Sequence, residues 1–301
     1  MMDMSSDRGE KAPASSGARQ GPPPPREEGP GAEGAPPTIG LLHSLPPCPS
    51  PERGEGALRP APRPDPGVAG FERTAVWIFD LDNTLYPADT RLFAQVDQKM
   101  GEFIARYLGV PFAYARHLQK SYYRQFGTTL TGLMKVHKVD PKSFLDYVHD
   151  LDLSGLAEHP ELAAAIGRLP GRKLIFTNGS RAHAERVAGK LGLLPLFEDI
   201  FDIVAAGYVP KPVPACYDQF LKAHGVEAAS AAMFEDMPHN LEAPHALGMA
   251  TVLVRSDAND DHPVHRTMRS WVGPPPHVHH MTFDLPAFLQ SIAVTSATEE
   301  A

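Results

Sequence analysis

Five short apolar runs, Ala75 to Phe79, Lys173 to Phe176, Ile200 to Val204, Ala231 to Phe234 and Ala250 to Val254, are separated by stretches of helical periodicity. Strands that are apolar at nearly every position are buried on both faces, and helices between them supply both the crossovers and the cover. The alternation predicts an α/β fold built on a doubly wound parallel sheet.

One interval breaks the rhythm. More than 90 residues separate the first run from the second, far more than one crossover helix requires. Leu92, Val96, Met100, Phe103, Ile104 and Tyr107 recur at helical spacing until Gly109, and Pro111 opens a second helix that reaches about Phe126. A third is expected over Thr129 to His137. Asp140 and Pro141 read as the N-cap and first-turn pair of a fourth, which ends near His149, where the helix dipole favours a positive imidazole. The interval thus reads as an inserted α-helical cap domain over residues 88–165, with the core at 71–87 and 166–301. Ligands of open parallel sheets bind beyond the carboxyl ends of the strands, so the insert is expected over the site. His277 to Ile292 reads as a short strand and a closing helix. Alternate positions of a strand face opposite ways, which weighs against a metal site made of His277, His279 and His280.

Residues 1–70 differ in composition from the rest. They hold 16 of the 32 prolines and 11 of the 25 glycines, and no Phe, Trp or Tyr. So little apolar surface cannot offset the entropy of ordering a backbone, and a disordered tail is expected. The proline run at residues 22–25 could dock an aromatic groove on an unknown partner, although a solvated linker or an upstream start codon are the plainer readings. No apolar run approaches the roughly 20 residues that span a bilayer. With only Cys48 and Cys216 present, a reducing, cytoplasmic setting without membrane attachment is expected. A formal charge of −8 weighs against binding of nucleic acid polymers.

The first strand ends in Asp80-Leu81-Asp82-Asn83-Thr84. Two carboxylates leaving a hydrophobic strand two residues apart need a cation or a proton between them, and a hard divalent ion such as Mg2+ meets that need. Three later strand ends bring complementary groups. The second gives Thr177-Asn178-Gly179-Ser180, a hydroxyl followed by a turn whose N–H groups can hold phosphate oxygens. The third is followed by Lys211 between Pro210 and Pro212, and the fourth ends in Glu235 and Asp236.

These four motifs, in this order and at strand ends, resemble the haloacid dehalogenase superfamily. The resemblance implies a HAD-like Rossmannoid core in which Asp80 attacks phosphorus to form an aspartyl-phosphate. Asp82 would protonate the leaving oxygen, then deprotonate the hydrolytic water, and its backbone carbonyl would ligate Mg2+ together with Asp80 and Asp236. Thr177 would bind the phosphoryl group, Lys211 would hold nucleophile and phosphate together, and Glu235 would orient the metal ligands. Dehalogenases of the superfamily lack the second aspartate, so Asp82 points to phosphate rather than halide. Many relatives carry another acid one, four or five residues beyond the metal-binding aspartate, where this chain has Met237, Asn240 and Leu241. A less negative site with lower metal affinity is expected.

The sequence Tyr122 to Leu133 joins two cap helices through a Gly-Thr-Thr turn rich in aromatics and hydroxyls. Those aromatics can stack on a base or simply pack the cap. FDLDNTLYP, this turn, T-N-G-S, V-P-K-P and F-E-D-x-x-x-N-L together resemble the pyrimidine 5'-nucleotidase branch. That likeness implies a small phosphate monoester as substrate, a pyrimidine nucleoside monophosphate above all, with Tyr123, Thr128, Thr129, Asn178 and Gly179 as candidate contacts. Sugar phosphates or other small metabolite phosphates remain an alternative, as does a non-catalytic binding module.

Overall fold

A computed structural model describes residues 70–256, 263–268 and 270–293. The proline run and Cys48 lie outside the described residues, as does the expected tail up to residue 69. The elements run β1 (Val76–Phe79), α1 (Leu92–Leu108), α2 (Phe112–Phe126), α3 (Thr129–His137), α4 (Pro141–Val148), α5 (Pro160–Gly167), β2 (Arg172–Phe176), α6 (Arg181–Lys190), β3 (Asp199–Phe201), α7 (Pro214–His224), β4 (Ala231–Glu235), α8 (Glu242–Ala246), β5 (Ala250–Val254), α9 (Pro263–Met268), β6 (His280–Thr282) and α10 (Leu285–Ser291).

The six strands form one parallel sheet in the order β3-β2-β1-β4-β5-β6. All four residues of β1 and all five of β4 are buried, as central strands covered on both faces must be. Alternate side chains serve opposite layers. Trp77, Phe79, Ile175, Phe234 and Val252 pack with residues of α5, α6 and α10, while Val76, Ile78, Leu174, Phe176 and Met233 pack with α7. The chain winds outward from β1 through β2 to β3, then returns to lay β4 on the other side of β1. The β1–β4 boundary is therefore the point where strand order reverses, and the ends of β1, β2 and β4 open side by side.

Helices α1 to α4 follow β1 and share a separate apolar cluster around Ile104, Leu133, Phe144 and Val148. Gly109 ends α1 at φ +64°, and the Asp140 carboxylate accepts from the Lys142 and Ser143 N–H groups to cap α4. Gly132 lets α3 close on α2, since a Cβ there would lie 2.4 Å from that of Tyr122. The expected insert boundary at residue 165 falls inside α5. Leu162, Ala165 and Ile166 bury among the sheet's own side chains, so α5 packs with the core. The third strand is also shorter than the apolar run suggests. Asp202 ends it by accepting from the Ala205 and Arg181 N–H groups, which turns the chain out of the sheet. Of the histidine group only His280 lies in β6, and the His279 Nδ1 meets the N–H and hydroxyl of Thr251.

Gly171 starts β2 at φ +79°, where a Cβ would lie 2.2 Å from the Ala75 carbonyl oxygen. That oxygen accepts from the Arg172 N–H at 2.9 Å, so the turn sets the β1–β2 register. Gly171→Ala should cost about 2 kcal/mol or more through the left-handed backbone and the clash. Urea unfolding checks this, and a loss under about 0.5 kcal/mol, the range of an ordinary surface change, would show that the turn tolerates a side chain.

Candidate active site

Asp80 is the first residue beyond β1, and its N–H extends the ladder to the Phe234 carbonyl at 2.9 Å. Lys211 reaches it from the loop after β3. The ammonium donates to Asp80 Oδ1 at 2.7 Å, to Glu235 Oε1 at 2.9 Å and to the Phe176 carbonyl at 2.8 Å, so its three hydrogens are all engaged. Its side chain is only 1% exposed. Asn178 holds this loop with a reciprocal pair. Its Oδ1 accepts from the Lys211 N–H at 2.8 Å, and its Nδ2 donates to the Lys211 carbonyl at 3.1 Å. Asn178 is thus engaged in supporting the lysine loop rather than free to reach a ligand.

Oxygen atoms of Asp80, Glu235 and Asp236 lie within 4.8 Å of one another, which among the described residues is the one such group of acid, histidine or cysteine ligand atoms. Of these three buried carboxylates, Asp80 and Glu235 share the one ammonium. Burial pushes the Asp80 carboxyl well up, Lys211 pulls it down, and Glu235, Asp236 and Asp82 push it up again. For Glu235 burial also opposes ionisation, but Lys211 and the hydrogen bonds it accepts outweigh that and lower it. Glu235 takes Lys211 and the Asn240 amide (2.6 Å) on Oε1 and the Met237 N–H (2.7 Å) on Oε2. The excess negative charge and the all-oxygen donor set suit a hard divalent cation. Two buried oxygens beside the acids fit its water shell. Asn83, whose amide meets Asp236 at 3.4 Å, and Asn240 each keep an Oδ1 without a hydrogen-bond partner in the protein.

Asp82 stands in a different environment. Its Oδ1 accepts from the Tyr86 hydroxyl at 2.5 Å and lies 2.9 Å from His183 Nε2. Burial works against ionisation, but His183 and Tyr86 outweigh it and lower the carboxyl to about 2. The His183 ring stacks on His149 at 4.4 Å and 13°. His149 Nδ1 lies 2.9 Å from the hydroxyl of Ser180, which in turn caps α6 by accepting from the His183 N–H. The dipole expectation for His149 is overturned. Burial, reinforced by His183, lowers it to about 3, so it is neutral at neutral pH. Neither Tyr86 nor His183 follows from the motif spacing, although Tyr86 sits four residues beyond Asp82 and His183 lies in the first turn of α6.

In the β2 turn the Thr177 hydroxyl is buried and accepts from the Gly179 N–H at 2.9 Å. A Cβ on Gly179 would lie 3.3 Å from the Thr177 and His183 side chains and 3.7 Å from Asp82 Oδ2, so the turn sits close against the second acid. Arg181 leaves this turn for the sheet edge, pairing with Asp199 at 2.7 Å and the Ile200 carbonyl. From the α2 side, Tyr123 comes within reach of the charges of Asp236 and Glu235. Its phenol is pushed up to about 12 by burial and then by the charges of Asp236 and Glu235. Thr128 and Thr129 serve the helices instead. Thr128 caps α3 through the Thr131 N–H, and the buried Thr129 hydroxyl donates to the Gln119 carbonyl at 3.3 Å.

A parallel sheet that gathers a lysine-bridged acid cluster at its switch point defines the class, and the sequence places the chain in it. The chain belongs to the haloacid dehalogenase-like hydrolases, whose family model matches residues 75–248. Phosphate metabolism protein 8 of Saccharomyces cerevisiae is 28% identical over 212 residues, which cover 64% of this chain and 64% of that protein, under two thirds of its length. Among solved structures, L-2-haloacid dehalogenase from Xanthobacter autotrophicus is 14% identical (TM-score 0.45, covering 72% of this chain and 97% of that one). A HAD phosphatase from Thermococcus onnurineus is 16% identical (TM-score 0.46, covering 70% and 94%).

Lys211→Met keeps the bulk of the side chain but leaves Asp80 and Glu235 unpaired. At neutral pH without added metal it should destabilise by about 3–5 kcal/mol, measured by urea unfolding. A loss under about 1 kcal/mol, as at an exposed pair, would show that the ammonium does not hold the acids. His149 gives a pH signature. Its folded value lies below the unfolded 6.5, so the unfolded chain binds the proton first and stability falls as pH drops from about 6.5 toward 3. Relative to His149→Gln, the wild-type protein should lose urea midpoint over that window, and parallel curves would contradict a buried neutral imidazole.

Proposed function

We propose that the chain is a Mg2+-dependent phosphomonoesterase that acts through an aspartyl-phosphate on Asp80, with pyrimidine nucleoside 5'-monophosphates as its preferred substrates. The observation that carries the reading is the division of two neighbouring carboxylates. Asp80 is tied to Lys211 beside Glu235 and Asp236, while Asp82, two residues on, is tied to Tyr86 and His183. One acid is thus equipped to be a nucleophile paired with an ammonium and the other to handle protons.

Asp80, Asp236 and the Asp82 carbonyl would hold Mg2+, with Glu235 and Asn240 orienting that set. Bound there, the ion supplies positive charge against the phosphoryl oxygens. Asp80 attacks phosphorus, and the bond from phosphorus to the ester oxygen breaks as Asp82 gives that oxygen a proton. The Asp82 carboxyl lies low in the free site, so the like charge of an approaching phosphate must raise its proton affinity, and Asp82 takes that proton from solvent as the ester binds. In the second half Asp82 takes a proton from water as that water attacks phosphorus and releases Asp80. Lys211 offsets the repulsion between Asp80 and phosphate throughout, and the Thr177 hydroxyl and the Gly179 turn bind the phosphoryl oxygens. An acid in the place of Asp82 favours an oxygen leaving group, since a departing halide needs no proton.

The nucleotide preference rests on the motif likeness and on Tyr123, an α2 aromatic within reach of the charges of Asp236 and Glu235 that can stack on a base. The yeast relative is named a phosphate metabolism protein, which agrees with phosphate chemistry. Phosphate release from a panel of esters tests both levels. UMP and CMP should be hydrolysed at least about tenfold more efficiently, by kcat/KM, than sugar phosphates, a transition-state preference of about 1.4 kcal/mol. EDTA or Asp80→Asn should abolish turnover. Equal rates across the panel would remove the nucleotide claim, and no release from any ester would remove the phosphatase.

A further inference from the structure

We propose that Tyr86 and His183 clamp Oδ1 of Asp82 so that Oδ2 is the oxygen that exchanges the proton with substrate. The proposal rests on the phosphatase reading and adds two positioning residues to it. The contacts from Tyr86 and His183 both fall on Oδ1, at 2.5 Å from the tyrosine and 2.9 Å from the histidine. Oδ2, which receives neither of these contacts, lies against the Thr177-Asn178-Gly179 turn, 3.7 Å from where a Gly179 Cβ would stand. A phosphate seated on that turn meets Oδ2 first. During the first half-reaction the proton passes from Oδ2 to the ester oxygen as its bond to phosphorus breaks. In the second it passes from the attacking water back to Oδ2.

The clamp is a matter of orientation. An aspartate carboxyl turns readily about its last torsion, where rotamer wells are broad, so two donors on one oxygen remove a freedom the reaction would otherwise have to fix. His183 is itself held. Its side chain is 1% exposed, it rises from the first turn of α6, and its ring lies against His149 at the end of α4. Arg186, one turn further along α6, donates to the His149 and Leu151 carbonyls at 3.0 Å each. The chain leaving the helical insertion is therefore stapled to the helix that carries the clamp, and it braces the acid without touching it.

Leaving groups separate positioning of the acid from general damage. Departure of a primary alkoxide needs the proton, whereas p-nitrophenolate leaves without it. With the full Mg2+-loaded protein, Tyr86→Phe and His183→Leu should lower the single-turnover rate of leaving-group release, which precedes the shared hydrolytic step, by about tenfold or more for propyl phosphate and by less than about threefold for p-nitrophenyl phosphate, with KM little changed. His183→Gln, whose amide nitrogen can take the place of Nε2, should recover most of the propyl phosphate rate. Equal losses on both esters, or losses confined to KM, would overturn the clamp. Tyr86→Phe removes a single oxygen and keeps the test open if His183→Leu fails to fold. Asp82→Asn distinguishes the two levels. If it shows the split and the clamp variants do not, only the clamp fails. If it shows no split, Asp82 is not the acid and both readings fail.

Discussion

The Lys211 ammonium sits where three buried carboxylates would otherwise repel one another, and the architecture around the site follows from keeping it there. Removing an ammonium from water costs several kcal/mol, which is recovered only when every hydrogen finds an acceptor and the opposing charges are close. Asp80, Glu235 and the Phe176 carbonyl meet that condition from β1, β4 and β2. One residue thus couples three strand ends. The loop that delivers it is closed by Asn178 in the turn after β2, so the turn that would receive phosphate and the loop that carries the cation are one mechanical unit.

Even so, the ammonium balances only part of the charge. Asp80 is held up by burial and then by its acidic neighbours, and Asn83 and Asn240 keep buried oxygens unpartnered beside them. These features suit a site that could hold a cation. The same crowding explains why the second acid must be insulated. Asp82 leaves the cluster, turns toward α6, and finds Tyr86 and His183, so two carboxylates two residues apart acquire opposite chemical tempers.

Much of this is legible in the chain itself. Apolar runs mark β1, β2, β4 and β5 to within a residue because a strand covered on both faces has no choice of polarity. Acids, lysine and hydroxyl at strand ends imply a shared edge once the sheet is parallel. Other features depend on neighbours that spacing cannot show. His183 is 101 residues from Asp82, and only the fold brings α6 across the end of β1. Thr128, Thr129 and Asn178 look like ligand contacts because polar side chains beside a site invite that reading. Each instead satisfies a helix end, a carbonyl or a loop, because buried backbone groups claim nearby polar atoms first. The same holds for His149, whose place at a helix end suggests a charged imidazole until burial against His183 is taken into account.

The central claim is that Asp80 becomes covalently bonded to phosphorus. Acid quenching of the Mg2+-loaded protein during turnover, followed by peptide mapping by mass spectrometry, tests it most directly. The account predicts that the peptide containing Asp80 gains the mass of one phosphoryl group, and that the gain is lost in Asp80→Asn and in EDTA. Phosphate release at full rate with no phosphoryl group on Asp80 at any time would contradict it.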